Sequence, residues 1–305
     1  YLALITSIHI LLSYKCSLRC QHCYIFAGPK AKGAISMGQV DEILREAKKI
    51  SSVEWIYFDG GEPFMRFPQL LNCINKGIQL GFKVGVVTNG FFARTEDCAV
   101  RFLRPLHHLG VSELRISNDA YHYKSPGTTP AQHALKVSHD LGLPVSQIRV
   151  HAPSNQDFLS VESSTPIPAI DQALRYQGRA SETLIRGLPL SRWDTFTHCP
   201  IDDLDEPDQI YVDTYGNVQI CPGTNIGNSW ETPLSDMVAA YQVADHPIYG
   251  PLAHGGPMML SEAFGFVHGV DYVDACHLCY TIRQQLRERL PKYLAPPQVY
   301  GLEKS

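Results

Sequence analysis

The stretch Ile8-His-Ile-Leu-Leu-Ser-Tyr-Lys-Cys16-Ser-Leu-Arg-Cys20-Gln-His-Cys23-Tyr24 joins a β-rich run at 8–13 to three cysteines in C-x3-C-x2-C spacing. Three thiolates on one loop at a strand end suit an iron–sulfur cubane, which takes several sulfur ligands at one corner of a fold. Three protein ligands on a four-iron cluster leave one iron open, and an open iron can hold a small molecule. Structural zinc is the alternative reading. Zinc fingers favour paired CxxC units and four ligands, and His22, inside the loop, is awkwardly placed as a fourth.

Outward from this loop, short β-rich runs alternate with helical patterns. The further strand candidates are 55–59, 83–88, 113–117, 147–151 and, more faintly, 174–179. Between the first two strands, Val40, Ile43, Leu44, Ala47 and Ile50 recur at helical spacing, with Ser36 and Gln39 as a capping box. Leu70, Leu71, Ile74 and Ile78 make a second stripe, and Phe102, Leu103 and Leu106 a third, which Pro105 is expected to shorten or kink. This alternation predicts an α/β fold over 1–190, a partial (βα)6 TIM-like barrel with its chemistry at the carboxyl ends of the strands. From 191 to 305 the texture changes to a small irregular α+β domain. Runs at 210–213 and 217–220 read as a hairpin, 245–270 as irregular, and 279–294 as a closing helix.

Composition narrows the classes. The chain has 305 residues, 44% apolar and with a net charge of −4, so neither nucleic acid nor an anionic membrane is an expected partner. No apolar run approaches the roughly 18 residues of a membrane span, and no signal-peptide pattern opens the chain, so cytoplasmic residence is expected. The sequence does not begin with Met, which leaves room for residues upstream. Seven of the nine cysteines fall in two groups, Cys16, Cys20 and Cys23, then Cys199, Cys221, Cys276 and Cys279. Grouped thiols read as metal sites rather than disulfides in an intracellular chain. Cys73 and Cys98 lie in helical patterns and are expected to pack in the core.

The run Cys16-Ser-Leu-Arg-Cys20-Gln-His-Cys23-Tyr24 resembles the signature of the radical S-adenosylmethionine (SAM) superfamily, and Gly60-Gly61-Glu62-Pro63, after the second strand, resembles that family's second motif. The resemblance implies a [4Fe-4S] cluster on Cys16, Cys20 and Cys23 with SAM on its open iron. One electron into the sulfonium would release methionine and a 5′-deoxyadenosyl radical, with flavodoxin or ferredoxin as the electron donor. Gly60 and Gly61 would let the backbone approach the methionyl amine, and Glu62 would offer it a carboxylate. Asn89, ending the third strand, resembles the family's ribose-contacting position, and Ser117, ending the fourth, would contact ribose or the SAM carboxylate. Arg179, in Gln177-Gly178-Arg179-Ala180, would pair with a carboxylate.

The later cysteines, spaced C-x21-C and C-x2-C, resemble the "twitch" auxiliary domain, a shortened SPASM domain, which implies a second [4Fe-4S] cluster with no open iron. Four-thiolate zinc stays open as an alternative. Twitch enzymes act on ribosomally made peptides or on aminocyclitol alcohols. Ser117-Asn-Asp119-Ala-Tyr121-His122 resembles a run in the peptide epimerases, and His198-Cys199-Pro200 their first auxiliary ligand. Tyr121 and His122 are therefore expected to face the substrate, and Arg192, Trp193 and His254 to line the cavity mouth. Epimerisation needs a spare thiol beside an auxiliary ligand, and Cys221 is followed by Pro222-Gly223. The leading expectation is hydrogen abstraction from a peptide ending in a cross-link or other oxidation. The alternatives are a polyol or aminocyclitol dehydrogenase and a non-catalytic iron–sulfur carrier. The absence of a recognisable leader-binding domain before the first strand counts slightly against a peptide.

Overall fold

The computed structural model describes residues 5–124, 127–151 and 167–302. Six strands, β1 (Ser7–Leu11), β2 (Trp55–Asp59), β3 (Lys83–Thr88), β4 (Glu113–Ser117), β5 (Val145–His151) and β6 (Ala169–Ala173), pair in chain order and in parallel. Ile10 lies opposite Phe58, which lies opposite Val86, and Val86 opposite Leu114. All four are fully buried, and each such side chain contributes roughly 1.5–3 kcal/mol. The crossovers that link β1 through β5 are helical, the usual connection between parallel strands: α1 (Met37–Ala47), α2 (Phe67–Gln79), α3 (Glu96–Leu109) and α4 (Pro130–Asp140). The helix α1 starts where expected, because Ser36 and Gln39 cap each other reciprocally. The expected partial barrel is what the chain builds.

The short helix α5 (Ala180–Thr183) leads out of the barrel, and the sheet then continues past β1. The strand β7 (Gln209–Val212) pairs with β1 in parallel, and β8 (Asn217–Gln219) and β9 (Asn225–Asn228) add to it antiparallel. The hairpin therefore extends the barrel sheet on its opposite edge, and β9 is a strand that the sequence did not announce. Helices α6 (Leu234–Ala240), α7 (Tyr249–Phe264) and α8 (Ala275–Leu286) complete the C-terminal part.

Several expectations need correction. The sixth strand is Ala169–Ala173, not 174–179. It is a mostly exposed edge strand without apolar alternation, held by its ladder to β5 and by Arg149 on Asp171, while Leu174 and Tyr176 turn inward into a small cluster with Ala180. The helix α3 runs through Pro105 to a left-handed cap at Gly110, because Leu103 and Leu106 stay buried across the proline. The segment read as irregular, 245–270, contains α7, broken only at Gly255 and Gly256. The last helix begins at Ala275, capped by Asp274 through the His277 amide at 2.7 Å, so both cysteines of the CxxC lie in its first turns. Cys73 is buried in the core, whereas Cys98 is only half-buried.

Gly256 is needed where it stands. It holds φ +65°, and a Cβ there would meet the His198 amide nitrogen at 2.3 Å, just before Cys199. Gly256→Ala is expected to destabilise the fold by about 1–3 kcal/mol and to lower only the metal bound by the second cysteine group. Thermal denaturation and metal analysis check both.

Candidate functional site

A cavity opens at the carboxyl ends of the parallel strands. Cys16, Cys20 and Cys23 line it together with Gly60, Gly61, Asn89, Ser117 and His122. Eight strands or their following turns contribute, from Leu11 to Pro222. Residues more than a hundred positions apart thus meet where a parallel α/β sheet places its chemistry.

The glycine pair lets two chain segments touch. Gly60 has φ +126°, and its Cβ would lie 2.5 Å from the Ser13 carbonyl oxygen; a Cβ on Gly61 would lie 2.3 Å from that of Lys15. The amides of Gly61 and Glu62 donate to those carbonyls at 2.6 and 3.0 Å. The turn is thereby stitched to the chain entering the cysteine loop. Glu62 itself is buried beneath the turn. It is 1% exposed and accepts from Phe64 N, Thr88 Oγ1 and Asn89 N, which locks the turn to the end of β3. Pro63 opens the short 3-10 turn behind it. Burial pushes the Glu62 carboxyl from 4.5 up to about 7, against the pull of its donors. The folded state therefore holds this proton more tightly than the unfolded chain, so the group's contribution to stability is full below about pH 4.5 and declines as pH rises to about 7. The metal-free protein should lose stability over that window relative to Glu62→Gln; equal slopes in melts across pH would contradict this.

The cysteine loop is held from behind. The Leu18 amide donates to Cys16 Sγ at 3.4 Å, the Ala27 amide to Cys23 Sγ at 3.3 Å, and Asn89 Nδ2 to Cys16 Sγ at 3.5 Å. Asn89 thus touches a cysteine as well as lining the cavity. Arg179 is 3% exposed, and its guanidinium donates to the carbonyls of Cys20 and Ala27. It braces the loop and does not line the cavity, which replaces the expected carboxylate pairing. Burial pushes the Cys16 and Cys20 thiols up to about 12, so binding a metal would release protons.

Between the cysteines, His22 packs against Tyr121 and His122, with ring centroids 5.0 and 4.7 Å away. Asp119 holds His122 through Nδ1 at 2.9 Å, which fixes the ring and leaves Nε2 outside that bond. Burial resists the Asp119 charge, but the His122 bonds hold its carboxyl below the usual range. Burial, reinforced by His122, pulls His22 down to about 3. His122 lines the cavity, whereas Tyr121 packs behind it.

A second, smaller cavity is lined by Cys199, Cys221, Cys276 and Cys279, which gathers the later cysteines from three separate segments, the last two from the start of α8. Arg283 lines it too, and Arg175 lines both cavities. Arg192, Trp193 and His254 line neither: Arg192 pairs with Asp194 at the surface, Trp193 stacks on His268 at 4.5 Å, and His254 is exposed. Sequence reasoning missed Asp59, which lines the first cavity and binds His9 at 2.8 Å, and Arg175, paired with Asp202 at 3.5 Å.

The cysteine geometry suits clusters. Zinc–sulfur bonds near 2.3 Å would draw four thiolates to about 3.8 Å from one another. Among the described residues, the group of three metal-capable side chains with ligand atoms within 4.8 Å of one another is His22, Asp119 and His122, not a set of cysteines. Each cysteine group instead lines its own cavity: the first offers three thiols, which would leave one iron of a bound four-iron cluster without a protein ligand, and the second offers four.

A parallel half barrel with a three-cysteine loop over its strand ends is the setting in which the sequence resemblance places a radical SAM site. Residues 10–156 match the Radical SAM superfamily, and the chain carries a radical SAM domain, a fold that holds a [4Fe-4S] cluster and SAM. Putative peptide biosynthesis protein YydG of Bacillus subtilis is 24% identical over 116 residues, covering 38% of this chain and 36% of that protein. The chain matches between 18% and 36% of the length of its curated relatives. Among solved structures, native anSMEcpe with bound AdoMet and Cp18Cys peptide aligns with TM-score 0.53 at 12% identity, over 93% of this chain and 98% of that one. BtrN in complex with AdoMet and 2-DOIA aligns with TM-score 0.51 at 14% identity, over 82% and 88%. These likenesses establish the fold. Among the described residues no helix is long and apolar enough to cross a membrane.

Proposed function

We propose that this protein reductively cleaves SAM and abstracts a hydrogen atom from a ribosomally made peptide, with a cross-link or another net oxidation as the outcome. The observation that carries the reading is the shared wall between the two cysteine cavities, in which Arg175 faces both and Pro222, next to Cys221, lines the first. Cys16, Cys20 and Cys23 would hold a [4Fe-4S] cluster that would supply the electron for reductive cleavage of SAM. The chain's own residues do the remainder. Asn89 and the amides of Leu18 and Ala27 donate toward the sulfurs, and the Gly60–Gly61 backbone forms the floor against which a methionyl group is held. Ser117, 8% exposed, offers a hydroxyl at the rim. His122, fixed by Asp119, presents Nε2 to accept a proton as a substrate is oxidised.

Net oxidation suits the site better than epimerisation. The cysteines that line the first cavity are Cys16, Cys20 and Cys23, and all four later cysteines line the other. No thiol among the described residues is left there to return a hydrogen atom. A peptide substrate is supported by the stretch shared with YydG, whose name concerns peptide biosynthesis. Flavodoxin or ferredoxin is the proposed electron donor. A second reading, dehydrogenation of a small polyol or aminocyclitol, draws on the polar wall of Asp59, Arg175, Tyr24 and Tyr211. A carrier role fits poorly with a cavity built beside the cluster loop.

Anaerobically reconstituted protein with SAM and a reductant should form 5′-deoxyadenosine, and a peptide substrate should emerge lighter by two hydrogens. Unchanged peptide mass with deuterium taken up from heavy water would favour epimerisation instead. Loss of two hydrogens from a cyclitol but from no peptide would establish the second reading.

A further inference from the structure

Arg283 lies one turn beyond Cys279 on α8, so Cys276, Cys279 and Arg283 share one helix face. It is the largest of the fully buried side chains, at 1% exposure. Its Nη1 donates to Thr224 Oγ1 at 2.7 Å and to the Pro222 carbonyl at 3.1 Å, and approaches Cys221 Sγ at 3.9 Å. Nη2 donates to Gln177 Oε1 at 3.0 Å, while the buried Nε has no partner.

These partners are all neutral. Asp202, the carboxylate lining the same cavity, is paired with Arg175, and among the described residues no acidic side chain forms an ion pair with Arg283. The phenols of Tyr249 and Tyr300 act as neutral donors, to the carbonyls of Thr224 and Gly223, both at 2.7 Å. A guanidinium is always charged in a protein, and a buried charge without a counter-ion opposes folding. Four thiolates around an iron–sulfur core carry net negative charge, which is the charge this pocket lacks.

We infer that Arg283 is the counter-ion of the auxiliary centre, a positioning residue whose positive charge favours the more negative, reduced state of the cluster and so raises its reduction potential. Hydrogen bonds and charge near the sulfurs are the means by which proteins set such potentials. The inference rests on the reading of Cys199, Cys221, Cys276 and Cys279 as ligands of one cluster. On that reading, Arg283 helps the centre accept the one electron that the substrate radical must lose, together with a proton, to complete its two-electron oxidation.

Redox titration of the auxiliary cluster's electron paramagnetic resonance signal in loaded protein tests this, with the first cluster in the same sample as the control. Arg283→Met should shift the auxiliary reduction equilibrium at least about tenfold toward the oxidised form, about 59 mV for a one-electron couple, and leave the first cluster unmoved. Arg283→Lys, which keeps the charge but loses the fork, should shift it less. If Arg283→Met fails to take up auxiliary iron while Arg283→Lys takes it up, the charge requirement is equally supported. An unchanged midpoint in Arg283→Met with both clusters loaded would overturn the role of Arg283 alone, as would equal loss of auxiliary iron in both variants. One zinc in place of the second cluster in the wild type would overturn the cluster reading and this role with it.

Discussion

Replacing Cys16, Cys20 and Cys23 together by alanine should abolish 5′-deoxyadenosine formation and reduce bound iron from about eight to about four per chain. The expectation follows from how the three sulfurs are presented. They face one cavity, and Cys16 and Cys23 accept donors that the fold supplies. The later four cysteines come from segments outside that loop and line their own cavity, so the auxiliary iron should survive. Its spectrum should be that of a cluster with four protein ligands. Persistent 5′-deoxyadenosine in the triple variant would remove the basis for the whole reading, and loss of all iron would mean the two sites do not load independently.

Gly61→Val should be the most disruptive single change near the site that leaves every ligand in place. Its Cβ would stand 2.3 Å from the Lys15 carbonyl oxygen and 2.6 Å from that of Tyr14. Both neighbours are backbone and cannot turn aside. The turn must part from the cysteine-bearing segment, which breaks the Gly61 and Glu62 amide bonds to Ser13 and Lys15. A loss of about 2–4 kcal/mol is expected, with the first cluster lost and the auxiliary cluster retained. Chemical denaturation of the metal-free protein, read beside iron content, separates the two effects. A variant with wild-type stability and a full first cluster would show that the close approach is not needed.

The barrel was legible because its strands are buried on both faces and read as apolar runs. Three of them, Trp55–Asp59, Lys83–Thr88 and Glu113–Ser117, lie where the runs place them. The sixth strand was not legible, since an exposed edge such as Ala169–Ala173 is fixed by its ladder and not by burial. Pro105 misled because packing across it outweighed a local breaker, whereas Gly255 and Gly256 do break α7 and what the sequence hid was the helical turns on either side of them. The cysteines were legible from spacing alone. Glu62 and Arg179 were found by motif, but their orientation depends on partners far away in sequence, the end of β3 for one and the loop carbonyls for the other. Arg175 and Arg283 belong to no motif, and only the assembled fold shows that one faces both cavities and the other lies buried without a carboxylate.

The most direct test asks whether the first cluster keeps an iron free for SAM. Electron–nuclear double resonance on the reduced protein, with SAM labelled by 15N in its amino group and 17O in its carboxylate, should show both labels coupled to the cluster, and Cys20→Ala should erase the coupling. Labelled SAM that leaves the spectrum unchanged, or a loop found closed around zinc, would contradict the account.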